Sequence, residues 1–193
     1  MMAALPRSLA AVLALATAVG QGAARAAETA GAPPLVISGQ VPSTCQMSPA
    51  AQAPGGDNVT FSANGGNASS VTVNLMVDPN TAKTQGAVGA VQFQVICTGA
   101  HTLTVSSASG GLVNTTTSAT GAGFANRADY TLQAAWDGIT HTLTTRGSAA
   151  SLDLSGSAGA TGALTVTVTV PSGEGPLVAG SYQDTISIDL SAN

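Results

Sequence analysis

Charge is what this sequence has least of: 7% of its 193 residues are Asp, Glu, Lys or Arg and 3% are aromatic, where an ordinary globular domain carries about 25% charged residues. Five Lys and Arg stand against nine Asp and Glu. No basic stripe exists to neutralise a row of phosphates, so nucleic acid is excluded as a partner. There are two cysteines and two histidines, with neither a CxxC pair nor histidines at helical spacing, and no metal site is expected. No Gly-x-Ser-x-Gly elbow occurs, and the carboxylates are scattered singly over turns and outward strand positions. Without a cluster of ionisable groups there is no catalytic constellation, and neither an enzyme nor a cofactor is expected.

Long apolar runs are equally scarce. The longest, residues 9–19 (LAAVLALATAV), follows Arg7 and leads to Ala24-Arg25-Ala26. It falls short of the roughly 20 residues that span a bilayer and reads as a signal peptide over residues 1–26. The expectation is a soluble protein exported through the periplasm to the cell surface or secreted. Cleavage leaves Lys83, Arg127 and Arg146 as the cations. Both Cys45 and Cys97 fall in the exported part, where one disulfide between them is the default and two buried thiols the alternative. Residues 27–34 (AETAGAPP) read as a flexible leader, 27–42 as leader plus N-terminal strand, and 43–193 as one domain.

What the sequence has in quantity is Val, Thr, Ser, Ala and Gly in strand-like alternation. Val59 and Phe61 alternate with Thr60 and Ser62; Val71, Val73, Leu75 and Val77 with Thr72, Asn74 and Met76. The inward parity continues through Val91, Phe93, Val95, Cys97, Leu103 and Val105, and again through Leu164, Val166, Val168 and Val170. Asp137-Gly138 is the turn pair of a two-residue hairpin. Counting outward from it pairs Trp136 with Ile139, Ala134 with His141 and Leu132 with Leu143, and places these residues and Tyr130 on one core face. His101 and His141 thus read as core or rim residues. Sequons at Asn58, Asn67 and Asn114 read as chance in a bacterial protein. Gly, Ser, Asn and Pro clusters separate the runs, and no amphipathic helix of useful length is found. About eight to ten short strands predict an all-β chain folded as a sandwich.

The last run, residues 180–190 (GSYQDTISIDL), turns Tyr182, Ile186, Ile188 and Leu190 inward. The sequence stops three residues later, and the expectation is that something else covers that strand. Together with residues 91–105 (VQFQVICTGAHTLTV), this ending resembles the spore coat protein U branch of the chaperone-usher pilins, where a strand ending in Cys-Thr is paired with a terminal Gly-x-Tyr-x-Asp strand. The segment Leu35-Val36-Ile37-Ser38-Gly39-Gln40-Val41, shortly before Cys45, resembles a pilin's N-terminal extension.

The resemblance implies an immunoglobulin-like β-sandwich lacking its final strand and completed by donor-strand exchange. Leu35, Ile37 and Val41 would be the donor side chains, and Gly39 would lie where the acceptor groove is too shallow for a side chain. Val36, Ser38 and Gln40 would face out. Ile186, Ile188 and Leu190 would belong to the acceptor groove. It implies as partners a periplasmic chaperone, an outer-membrane usher and neighbouring copies of the chain or related pilins. The implied function is a structural subunit of a fimbria or coat that supports adhesion or biofilm formation. The alternative is a self-contained secreted β-sandwich acting as an adhesin or ligand-binding module.

Overall fold

The computed structural model describes residues 35–64 and 68–193. The signal peptide, residues 27–34 of the leader and the Asn67 sequon lie outside the described residues. Among the described residues fourteen strands follow one another: β1 (Cys45–Met47), β2 (Ala51–Gln52), β3 (Val59–Ala63), β4 (Ser69–Val73), β5 (Ala87–Cys97), β6 (His101–Ser107), β7 (Leu112–Asn114), β8 (Arg127–Ala128), β9 (Thr131–Trp136), β10 (Ile139–Thr144), β11 (Ala150–Gly156), β12 (Ala160–Val170), β13 (Tyr182–Gln183) and β14 (Ile186–Ala192). That exceeds the expected number because several are fragments of two or three residues. Among the described residues there is no helix, and every strand pair is antiparallel.

The chain is an all-β sandwich. One sheet runs β1-β5-β12-β9-β10 with β2 added on β5; the other runs β11-β6-β14. Their inner faces supply a single core. Phe93, Val95, Leu132, Ala134, Leu164 and Val166 come from the first sheet, Leu103, Val105, Leu152 and Leu154 from the second. Those from β5, β6, β9 and β12 are buried on the parity that the alternation predicts, and Leu152 and Leu154 of β11 join them. Two smaller units flank the sandwich, a β13-β7-β8 sheet and a separate β3-β4 hairpin. Residues 40–193 form one compact unit.

The β9-β10 hairpin has the predicted register, Trp136 opposite Ile139, Ala134 opposite His141 and Leu132 opposite Leu143. Asp137 and Gly138 take φ of 51° and 72°, the left-handed pair that matches the twist of the flanking strands. The shared core face, however, is correct only in part. Tyr130, Leu132, Ala134 and Trp136 are buried, whereas His141 is exposed, because β10 is the sheet's outer strand and overhangs the core. His101, by contrast, is buried with its ring 4.5 Å from that of Trp136.

The run from Val71 to Val77 is not one strand. β4 ends at Val73, and Leu75 is 48% exposed instead of facing in. Asn58 is the cause. Its side-chain amide donates to the Leu75 carbonyl at 2.7 Å and accepts from the Leu75 N–H at 2.9 Å, so a side chain takes over where ladder bonds would continue.

Candidate functional site

Cys45 and Cys97 form a disulfide, directly opposite each other on β1 and β5. The bond pins the three-residue β1 to the long β5 at one end of the sandwich. β1 also lies against β14 there.

β14 is the strand of most interest. It pairs with β6 through Ile186–Ser107, Ile188–Val105 and Leu190–Leu103, and among the described residues it has no strand on its other side. The ladder's phase fixes what that free edge presents. The N–H of Ala108 donates to the Thr185 carbonyl at 2.9 Å, and the N–H of Asn193 to that of Ala100 at 2.8 Å. Odd-numbered residues of β14 therefore bond to β6. Ile186, Ile188 and Leu190 turn N–H and C=O toward the free edge, since the two phases alternate along an antiparallel pair. The side chains of these three residues pack on the core yet stay half-buried.

Beside β14 runs a groove of about 760 Å³. Its floor is apolar, with Ala87, Gly89, Val168, Val170 and Leu112. Ile186 and Ile188 form one wall and β4 the other. Of Ile186, Ile188 and Leu190, the first two line this groove; Leu190 lies beyond the lining, packed on the core.

The near end of β14 is fixed by Asp184, which accepts five hydrogen bonds. One carboxylate oxygen takes the Ser107 hydroxyl at 2.6 Å, the Tyr130 hydroxyl at 2.8 Å and the Gly111 N–H at 3.1 Å. The other takes the N–H of Ser109 at 2.9 Å and of Thr185 at 2.7 Å. Arg127 grips the same loop from the opposite side, donating to the carbonyls of Ser109 and Gly110. Burial alone would raise the Asp184 carboxyl, but the bonds from Ser107, Tyr130, Ser109 and Gly111 outweigh it and hold the group below the usual range. Burial, foremost, pushes the Tyr130 phenol well above its ordinary value, and the neighbouring Asp184 adds to this. Asp184 is thus no scattered surface carboxylate, and here the sequence reading is corrected.

The rest of the Gly-x-Tyr-x-Asp pattern has equally local duties. The Tyr182 hydroxyl donates to the Val178 carbonyl at 2.7 Å. Gly180 has φ of 152°, and a Cβ there would collide with the Asn114 side-chain amide. Asn114 is itself buried, accepting from the N–H groups of Thr116 and Thr117 and donating to the carbonyls of Val178 and Ala179. Two of the three sequon asparagines, Asn58 and Asn114, are therefore backbone clamps. Composition gave no sign of this; in each case the signal is an amide side chain beside a break in the alternation.

A folded-state carboxyl below its unfolded value stabilises the fold fully above pH about 4, and the contribution fades as pH falls through the lower folded value. Asp184→Asn puts N–H donors against donors and is expected to cost on the order of 2 kcal/mol at pH 7. Urea unfolding at pH 7 and pH 3 measures it. The gap between the two proteins should narrow at pH 3, and an equal gap at both would contradict the ionised-acceptor role.

Residues 35–44 carry no strand, and Leu35, Ile37 and Val41 are 87%, 88% and 80% exposed. A Cβ added to Gly39 would meet no atom within 4 Å. Among the described residues there is no cluster of three or more His, Cys, Asp or Glu that would hold a metal ion. Comparison with protein-family models, with curated proteins and with solved structures finds no match.

Proposed function

We propose that this chain is a structural subunit of an extracellular fibre or coat, assembled by the chaperone-usher pathway through donor-strand exchange. The observation that carries the reading is the order of the strands. An immunoglobulin constant-type sandwich has strands ABED in one sheet and CFG in the other. Here β1, β5, β12 and β9 follow the order A-B-E-D, and β6 beside β14 follows C-F. The position of G is the free edge of β14, where the groove runs.

Two further features support it. The segment Leu35 to Val41 has strand-like alternation but forms no strand in its own chain, and its large apolar side chains are exposed on both faces. The groove's floor is apolar, with Leu112 and Val168 half-buried beside the buried Ala87, Gly89 and Val170. One extended segment laid along β14 would satisfy a row of unpaired N–H and C=O groups and cover that floor together, as in other strand additions. A periplasmic chaperone would lend a strand until an outer-membrane usher exchanges it for the next subunit's extension.

The test is electrophoretic. Material collected from the surface of cells that also make a chaperone and usher is expected to run as a ladder of multimers in cold detergent and to collapse to monomer on heating. A single monomeric band before heating would refute strand exchange.

A further inference from the structure

Three residues, Pro42, Ser43 and Thr44, stand between Val41 and Cys45, and each is met by the residues at the end of β5 or just past it. The Thr98 N–H donates to the Thr44 carbonyl at 2.9 Å, which carries the β1-β5 ladder one residue beyond the disulfide. The return bond is of another kind. The Thr44 N–H turns to the Thr98 hydroxyl at 2.9 Å, and that hydroxyl donates in turn to the Pro42 carbonyl at 2.8 Å. One side chain thus bridges two residues of a stretch that carries no strand. Gly99 makes room for the third, since a Cβ there would come within 2.7 Å of the Ser43 hydroxyl oxygen.

Pro42 adds two constraints of its own. Its ring disfavours helical backbone in the residue before it, so Val41 is biased to the extended form that a strand needs. It has no N–H, so a ladder running along the segment from Leu35 stops at Val41. A flexible linker is a run of Gly and Ser with no fixed partners. This joint is instead fastened at each of its three positions, beside a strand that the disulfide already ties to β1.

We infer that Thr98 is a positioning residue for strand exchange: its hydroxyl fixes the joint from which residues 35–41 depart, so that a segment seated in a neighbour's groove holds its own domain at one set angle. This rests on the strand-exchange reading above. The consequence is mechanical. With no free residue between the exchanged strand and the sandwich that donates it, bending the fibre has to break the Thr98 bonds, and successive subunits form a row of stiffly joined bodies. Thr98 itself is exposed, so losing its hydroxyl leaves the core of the sandwich as it was.

Thr98→Val removes the hydroxyl and keeps the shape, whereas Thr98→Ser keeps the hydroxyl. In the exported chain carrying Gly39→Arg, which is expected to stay monomeric, Thr98→Val should speed hydrogen exchange of the Thr44 amide about tenfold. The backbone order parameter of Ser43 from NMR relaxation should fall from the rigid value of about 0.85 to below about 0.6. Thr98→Ser should keep both at their starting values. Fibres of the chain with Gly39 intact, traced by electron microscopy, should lose about half of their persistence length with Thr98→Val and keep it with Thr98→Ser. Unchanged Thr44 exchange and Ser43 order would overturn the clamp, and a loosened joint in fibres as stiff as before would overturn its positioning role; either result leaves strand exchange standing. If the unsubstituted chain forms no heat-sensitive multimers, strand exchange fails and the positioning role fails with it.

Discussion

Gly39→Arg is expected to abolish assembly while leaving the subunit folded. In the free chain a side chain at Gly39 meets nothing within 4 Å, so the substitution has no structural cost there. In the proposed strand-exchange complex the same position would face the groove floor. Burying Leu35, Ile37 and Val41 contributes about 1.5–3 kcal/mol each. A guanidinium forced in among them without a partner costs several kcal/mol, enough to cancel most of that gain. Detergent-resistant multimers should disappear, and on the proposed pathway the variant should still bind a periplasmic chaperone, whose lent strand would not come from this segment. Multimers at the unsubstituted level would remove Gly39 from the interface.

Replacing Cys45 and Cys97 together by Ser is expected to cost about 4 kcal/mol. The bond closes a separation of 52 residues, and chain entropy gives stabilisation of about that size for such a loop. Against the roughly 5–15 kcal/mol of a typical domain, this is a large fraction. The loss has a structural focus. β1 is three residues long and pairs with β5 alone, so without the disulfide its ladder is the first to open, uncovering the Leu190 end of β14. Urea unfolding of the oxidised and doubly substituted proteins measures the difference. A loss below about 1 kcal/mol would show that β1 docks without its covalent tie.

Much of the sandwich was legible in one dimension. Alternation of period two placed β5, β6, β12 and β14 and their inward faces, because burial on one side of a strand leaves that signature in the sequence. Asp137-Gly138 set the register of β9 and β10 to the residue, since a two-residue turn with positive φ permits one pairing. Where alternation misled, a distant partner intervened. Leu75 continues the parity of Val71 and Val73, but the amide of Asn58, 17 residues earlier, ends the strand before it. His141 has the parity of Ala134 opposite it, yet on the sheet's outer strand it is exposed, and its same-face neighbours Ile139 and Leu143 are only half-buried against the core.

The candidate site divides along the same line. The sequence by itself determined an all-β chain, the inward parity of Ile186, Ile188 and Leu190, and an apolar alternating segment ahead of Cys45. Only the tertiary structure decided that β14 has, among the described residues, β6 as its one strand neighbour, that β4 faces it across an apolar floor, and that Asp184 anchors its near end through groups 54 to 77 residues away. Side-chain parity is a local property of the pleat, whereas a free edge, a groove wall and a buried carboxylate's donors depend on which distant strands pack together.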